Sequence, residues 1–372
     1  MSDELMDVNA TTSPPVTVRN FAMPRLRRCP FDIDTIDWRR ARKLGAGADG
    51  CVYRVYFGDR GPFALKLFWI PDAVVEFPTY SAVHRECQNA ALLQMLRASV
   101  DQTATTGSSS EKLDVTGPPL VHPNPMDFLT ASDNLFSFAD EVRRARQKQP
   151  PPPELQLVPV TSMPRFAKCH GWLPCNVHEL MAKMPRHMRS HGFHVDRKTY
   201  RTFDQTRTDF IGIVYEYIPS HDGDETDDGG GTKDDNGGND STGEELESCK
   251  KSTAPPAARR YNTRSSTIQA VHDANGDNEQ PRQARPAAIA ASNEDTKDTK
   301  DTEDAMHRNR VSAVADFLWL AGFKFCSQPL ARNWKNGVLV DHSEIIGPYS
   351  SGWQRGPRNT KWSVERLLTP SG

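Results

Sequence analysis

The chain lacks a charge excess, a high hydrophobic content and any long apolar segment. Lysine and arginine number 46 against 48 aspartate and glutamate residues, so the formal net charge is −2. This balance excludes the basic surplus typical of proteins that bind nucleic acid over their whole surface. Hydrophobic residues make up only 37% of the 372 residues, below the roughly 45–50% of globular chains. The longest apolar run, FLWLAGFKF, is far shorter than the ~20 residues that a membrane-spanning helix needs.

The sequence also lacks a disulfide framework and an N-terminal targeting segment. Its seven cysteines are scattered singly, a pattern typical of reduced intracellular thiols. The first residues, MSDELMDVNATTSPP, are acidic and polar, unlike a signal peptide. These features predict a soluble intracellular protein with no membrane association.

Composition divides the chain into folded and loose stretches. The segment from 221 to 309 is acidic first and basic later, and it has too little apolar surface to offset the entropy of ordering. Its basic patch at 250–264 is either a solvated linker or a contact with DNA or a partner. The predicted domains are a disordered tail (1–22), a folded domain (23–220) with a loop and helix insert (99–154), a disordered insert (221–309) and a last folded piece (310–368).

The strongest local signal is the segment LGAGADGCVYRV, in which Gly45, Gly47 and Gly50 form a G-x-G-x-x-G pattern followed by Val52. Alone, the pattern fits either a dinucleotide-binding fold or the glycine loop of a protein kinase. A dinucleotide fingerprint opens a helix, but CVYRVYFG alternates and is rich in β-branched and aromatic residues, which predicts a strand. A turn and a second strand, PFALKLFW, follow. This order favours a kinase loop that covers phosphates with its backbone.

A lysine and a glutamate follow at the spacing that this interpretation requires. Ala64 and Lys66 stand where the kinase strand carries its phosphate-binding lysine, and a predicted helix at 84–96 carries Glu86 on its buried face. The carboxylate suits the ion pair that aims such a lysine at the α- and β-phosphates. The alternative for Lys66 alone is a surface lysine on a strand.

The segment GIVYEYIP predicts a buried strand that runs into a linker. Tyr215, Glu216 and Tyr217 would form this linker, where the adenine ring would stack. After residue 310, however, too few residues remain for the helical lobe of a complete kinase. The sequence therefore preserves the phosphate-binding part of a kinase better than the part that carries out phosphoryl transfer.

The last folded piece contains FCSQPLARNWKNGVLVDHSEI, which we align with the kinase catalytic loop. Cys326, Ser327 and Gln328 take the places of the His-Arg-Asp triplet, so a glutamine, which cannot accept a proton at neutral pH, replaces the base. Asn333 and Asp341 take the two magnesium positions, to which their oxygen atoms are suited. The alternative for Asp341 is a carboxylate that caps a turn.

Four segments together resemble a fungal family, the Fta-two-type proteins, which are subunits of the inner-kinetochore Sim-four complex. The segments are PRLRRCPFDIDTIDWRRARKLGAGADGCVYRVYFGDRGPFALKLFW, HRECQNAALLQML, FIGIVYEYIP and FLWLAGFKFCSQPLARNWKNGVLVDHSEI. The resemblance implies a kinase-like fold reduced mostly to its N-terminal lobe, residence in the nucleus and association with centromeric chromatin.

We therefore expect an α+β fold: a protein-kinase-like N-lobe with a five-stranded antiparallel sheet and one helix packed across it, a much reduced C-terminal lobe and long disordered inserts. The expected function is a non-catalytic kinetochore assembly module that retains ATP and magnesium binding or uses the pocket only as a fold support. One alternative is an active small phosphotransferase that uses ATP and magnesium. Another is a fungal adaptor with no kinetochore role.

Overall fold

The described residues of the computed structural model are 1–6, 16–70, 81–105, 117–190, 192–194, 200–203, 207–219, 293–326, 331–350, 353 and 361–369. The α-helices are α1 (Val18–Ala22), α2 (Ala82–Thr105), α3 (Phe128–Phe136), α4 (Asp140–Lys148), α5 (Val177–Lys183), α6 (Asn293–Leu320) and α7 (Val364–Leu367). The strands are β1 (Arg42–Ala46), β2 (Gly50–Phe57), β3 (Arg60–Phe68), β4 (Leu120–Val121), β5 (Val158–Pro159), β6 (Cys169–Asn176), β7 (Phe193–His194), β8 (Tyr200–Arg201), β9 (Asp209–Glu216), β10 (Lys324–Phe325), β11 (Trp334–Lys335), β12 (Val338–Leu339) and β13 (Ile345–Ile346).

Five of these strands form one antiparallel sheet in the order β1-β2-β3-β9-β6. This confirms the predicted α+β class and the five-stranded antiparallel sheet. The first three strands follow one another along the chain, whereas β9 returns beside β3 after the insert that carries α2 to α5. The central position of β3 places Lys66 between Val52 of β2 and Ile213 of β9.

The alternation along β2 assigns its side chains to the two faces of the sheet. Cys51, Tyr53 and Val55 are fully buried on one face, under a layer that includes α5 and the chain around Phe31. Val52 and its cross-strand neighbour Lys66 point to the opposite face. This second face is the side on which α2 packs.

Helix α2 covers the second face over a greater length than the predicted 84–96. Val83, Cys87 and Ala90 are buried with Phe68 and Ile213 of the sheet. Further along, Leu92, Leu96 and Val100 belong to a separate core cluster that includes Val311, Val314 and Leu318 of α6. The two ends of α2 thus join the sheet to the C-terminal part of the chain.

Three elements have bounds that differ from those predicted. Helix α6 begins at Asn293, inside the range assigned to disorder, and from residue 301 onward its first buried side chain is Val311. The predicted tail contains α1, whose Phe21 is fully buried. The helix predicted within the insert at 99–154 is two helices, α3 and α4, because the chain turns at Phe138 to bury that ring and Ala139 is extended.

The sequence predicted unpaired cysteines and no membrane-spanning segment. The six cysteines in the described ranges, all except Cys249, are unpaired thiols. Among the described residues, no helix has both the length and the apolar character required to cross a membrane.

Candidate functional site

The ammonium group of Lys66 is enclosed by carboxylates on the α2 side of the sheet. Its Nζ donates to Glu86 Oε2 at 2.6 Å and to Asp341 Oδ1 at 2.9 Å. Only 7% of Lys66 is exposed, so this residue is not the surface lysine of the alternative interpretation. The ion pair with Glu86 has the partners that the sequence predicted, and Asp341 joins it from the C-terminal part of the chain.

The two carboxylates differ in their access to solvent. The side chain of Glu86 is fully buried, whereas that of Asp341 keeps 29% of its surface exposed. Tyr215 donates its hydroxyl to Glu86 Oε1 at 3.0 Å, so both oxygens of Glu86 are engaged. Glu86 therefore positions Lys66, and Asp341 is the carboxylate that a ligand can reach.

Burial and charge act in opposite directions on these groups. Burial lowers the pKa of Lys66, but the nearby carboxylates, Asp341 foremost, outweigh burial and raise it above its ordinary value. Burial raises the pKa of Glu86 to about 7, against the opposing charge of Lys66. Burial also acts to raise the pKa of Asp341, but Lys66 and Ser343 outweigh it and lower that pKa to about 2. Lys66 and Asp341 are therefore both charged at neutral pH.

The position of Asp341 is fixed by a turn of 3₁₀ helix, His342–Glu344. Asp341 caps this turn by accepting from the backbone N–H of Ser343 at 3.1 Å and from its hydroxyl at 2.7 Å. Asn89 of α2 donates its amide to the carbonyls of His342 and Ile345, each at 2.7 Å. Asp341 is thus a turn carboxylate, as the alternative proposed, and also a partner of Lys66.

Asn333 and Asp341 flank the hairpin of β11 and β12. The backbone N–H of Val340 donates to the carbonyl of Asn333 at 2.9 Å, so the hairpin brings the two ends of this segment together. Among the described residues, no three His, Cys, Asp or Glu side chains are grouped to hold a metal ion. Magnesium prefers one or two carboxylates with water and phosphate oxygens, and Asp341 suits that role.

The three glycines of the glycine loop, from Gly45 near the end of β1 to Gly50 at the start of β2, meet different surroundings. A Cβ at Gly50 would lie 2.1 Å from the carbonyl oxygen of Leu67, so Gly50 permits the close approach of β2 and β3. A Cβ at Gly45 or Gly47 would meet no described atom within 4 Å, and neither has a left-handed backbone. Local packing therefore explains why position 50 is a glycine. Open space lies beside Gly45 and Gly47, so packing against the described residues does not require glycine there.

The loop is held to the end of β3 by Trp69. The indole Nε1 of Trp69 donates to the carbonyl of Gly47 at 2.8 Å, and its backbone N–H donates to the carbonyl of Asp49 at 3.1 Å. Trp69 is itself 1% exposed, in contact with Phe203. These two hydrogen bonds hold the base of the loop to the end of β3.

An apolar wall lies beside the lysine on the same face of the sheet. Ala64 packs in a cluster with Val338 and Val340 of the C-terminal hairpin. Val52 is half-buried on β2, directly opposite Lys66. Val52 and the glycine loop border the lysine from the side of β2, whereas Ala64 lies on β3, two residues before Lys66.

The predicted linker begins later than the sequence indicated. Tyr215 is 4% exposed within β9, and its hydroxyl engages Glu86, so its predicted place in the linker is wrong. Glu216 ends β9, where its side chain pairs with Arg165. The ring of Tyr217 lies after the strand, with the guanidinium of Arg54 5.7 Å from its centroid.

Several residues of this site were missed by sequence reasoning. Tyr215 was assigned to the linker, and Trp69, Asn89 and Ser343 were not selected, because nothing in a pattern of residue types indicates a contact across the cleft. Asp49 could have been selected from the sequence, because a carboxylate is unexpected in a loop that is predicted to bind phosphate. Gln328, the predicted replacement for the catalytic base, lies outside the described residues.

The chain matches no known protein-family model, no curated protein and no solved structure.

Proposed function

We propose that the protein is a kinase-like nucleotide-binding module that binds magnesium and ATP without an efficient transfer reaction. The observation that carries the proposal is Lys66, held between Glu86 and Asp341 beside a glycine loop. In phosphoryl-transfer proteins of the kinase type, a lysine–glutamate pair and a magnesium-binding aspartate must both be in place.

The charge balance of the cluster explains why magnesium belongs to the proposal. One ammonium group, that of Lys66, faces the carboxylates of Asp341, Glu86 and Asp49. The phosphates of ATP would add further negative charge to a site that is already acidic. A divalent cation on Asp341 would offset that repulsion, because the ion becomes the largest local charge. Nucleotide binding should therefore depend strongly on magnesium.

The open space beside two glycines supports a ligand that approaches the backbone. Gly45 and Gly47 are not required by any contact with the described residues. Backbone N–H groups without a neighbouring Cβ can approach phosphate oxygens closely. The apolar wall of Ala64, Val338 and Val340 would then receive the base, with Glu216 and Tyr217 at its outer edge.

We further propose that the module acts in assembly of the inner kinetochore, in the nucleus. This part rests on the resemblance of the four segments to Fta-two-type proteins. The basic patch at 250–264, which lies outside the described residues, would be the contact with chromatin. Co-purification with centromeric proteins tests this role, and its loss on deletion of 221–292 would assign the contact to that segment.

The binding proposal is tested by calorimetric titration of ATP, with and without magnesium, into the wild type and Gly47→Val. The added side chain enters open space in the loop, so the fold should be unaffected while the phosphates are excluded. We expect magnesium-dependent binding by the wild type and at least tenfold weaker binding by the variant. Gly117→Ala, in which the new Cβ meets Gln147 only at ordinary distances, is the matched control.

An active phosphotransferase is the second candidate, and the engagement of Asp341 by Lys66 favours it. Phosphoryl transfer depends mainly on positioning and charge stabilisation, so loss of the base lowers the rate rather than abolishing transfer. Transfer of labelled γ-phosphate to the protein or to a mixed peptide library, abolished by Asp341→Asn, would support this candidate. Nucleotide binding without transfer supports the non-catalytic module.

A further inference from the structure

A carboxylate inside the glycine loop bridges the loop to the turn that carries Asp341. The hydroxyl oxygen of Ser343 lies 3.3 Å from Asp49 Oδ2 and 2.7 Å from Asp341 Oδ1. One hydroxyl group therefore lies between a carboxylate of the loop and a carboxylate of the turn. This contact joins the glycine loop to a turn 294 residues further along the chain.

The bridge closes a loop that is already held at its base. Trp69 binds the carbonyls of Gly47 and Asp49, which sets the backbone of the loop relative to β3. The side chain of Asp49 then reaches Ser343 in the turn that carries Asp341, and its negative charge acts to raise the pKa of Lys66. The carboxylate of Asp49 thus lies between the loop and the turn whose Asp341 contacts Lys66.

We propose that Asp49 is a latch: it closes the glycine loop over Lys66 and occupies the position of a nucleotide phosphate until a nucleotide displaces it. This inference rests on the proposed nucleotide site and adds a determinant of its affinity. A phosphate bound by both the loop and Lys66 would meet the negative charge of Asp49 at short range. In a partly buried site such repulsion is stronger than in water. Binding therefore requires the Asp49–Ser343 contact to open.

Asp49→Asn tests the latch because it removes the charge and keeps the shape of the side chain. We expect Asp49→Asn to bind ATP with magnesium about tenfold more tightly than the wild type, since a like charge is removed. Asp59→Asn removes the same charge from the exposed β2–β3 turn and should leave the affinity unchanged. Hydrogen–deuterium exchange of the loop peptide containing 45–50, without nucleotide, should be faster in Asp49→Ala than in Asp59→Ala.

The two measurements separate failure of the latch from failure of the nucleotide site. Faster exchange with tighter binding supports both. Faster exchange with no binding by any variant supports the latch and removes the proposed nucleotide function. Unchanged exchange, or measurable binding of ATP by the wild type that Asp49→Asn fails to tighten, overturns the latch. Weaker binding accompanied by loss of the magnesium dependence would instead make Asp49 a metal ligand.

Discussion

Lys66 and Asp341 lie 275 residues apart in the sequence, and their charged atoms are 2.9 Å apart. Lys66 comes from the central strand of the sheet, whereas Asp341 comes from a turn that Asn89 of α2 fixes in place. The site is therefore assembled from both ends of the chain.

The first prediction concerns the stability of this cluster. Lys66→Met should lower the free energy of unfolding by about 3–5 kcal/mol, because it leaves Glu86 buried without its cation. The double variant Lys66→Met with Glu86→Gln should recover part of this loss, because it removes a buried carboxyl group whose pKa would rise further without Lys66 and which would have to take up a proton at pH 7. Urea denaturation at pH 7 measures both changes. Equal stability of the single variant and the wild type would contradict the buried ion pair.

The second prediction separates the three glycines of the loop. Gly50→Ala should destabilise the protein by about 1–3 kcal/mol, because its Cβ would overlap the carbonyl of Leu67. Gly45→Ala and Gly47→Ala should unfold at the urea concentration of the wild type, because open space surrounds both. If nucleotide binds, only these last two variants should lose affinity while keeping their stability. If all three variants lost the same stability, packing alone would explain why these positions are glycines.

Sequence reasoning succeeded where contacts follow from local order. The glycine loop, the alternation of β2 and the lysine of β3 lie within 25 residues, and the helix carrying Glu86 follows them. Contacts across the cleft, such as Tyr215 with Glu86 or Trp69 with the loop, depend on three-dimensional packing that no spacing encodes. The start of α6 was missed because residues 293–304 are all polar, and from residue 301 onward the first buried side chain is Val311.

The third prediction concerns His342, which follows Asp341 and is 1% exposed. Neither of its ring nitrogens makes a hydrogen bond of ordinary geometry with the described residues. The ring instead packs edge-on against Tyr215, with centroids 5.1 Å apart. An unsatisfied buried polar group costs stability, so His342→Phe should stabilise the protein by about 1 kcal/mol at pH 7, measured by urea denaturation.

The same variant should change the pH dependence of stability. Burial lowers the pKa of His342 to about 4, so the unfolded chain takes up a proton first as the pH falls. The wild type therefore loses stability as the pH falls from about 6.5 towards 4, and His342→Phe lacks this loss. The advantage of the variant should grow over that range. A constant difference between pH 7 and pH 4.5 would show that the ring titrates normally.

The fourth prediction isolates the hydrogen bond between Tyr215 and Glu86. Tyr215→Phe removes a buried donor at 3.0 Å from Glu86 Oε1 and should cost about 1–2 kcal/mol in the free energy of unfolding. Tyr56→Phe, which changes the same group on a half-buried tyrosine of β2, is the matched control and should have little effect. Equal effects of the two variants would mean that the Tyr215 hydroxyl does not stabilise the carboxylate.

The central claim is that Lys66 faces the phosphates of a bound nucleotide. Its most direct test is labelling with an acyl-phosphate derivative of ATP, which transfers its acyl group to a lysine beside the phosphates, followed by peptide mass spectrometry. The account predicts that Lys66 is acylated, that excess ATP with magnesium prevents the reaction, and that Gly47→Val abolishes it. Labelling of exposed lysines such as Lys43 and Lys148 alone, unaffected by ATP, would contradict the account.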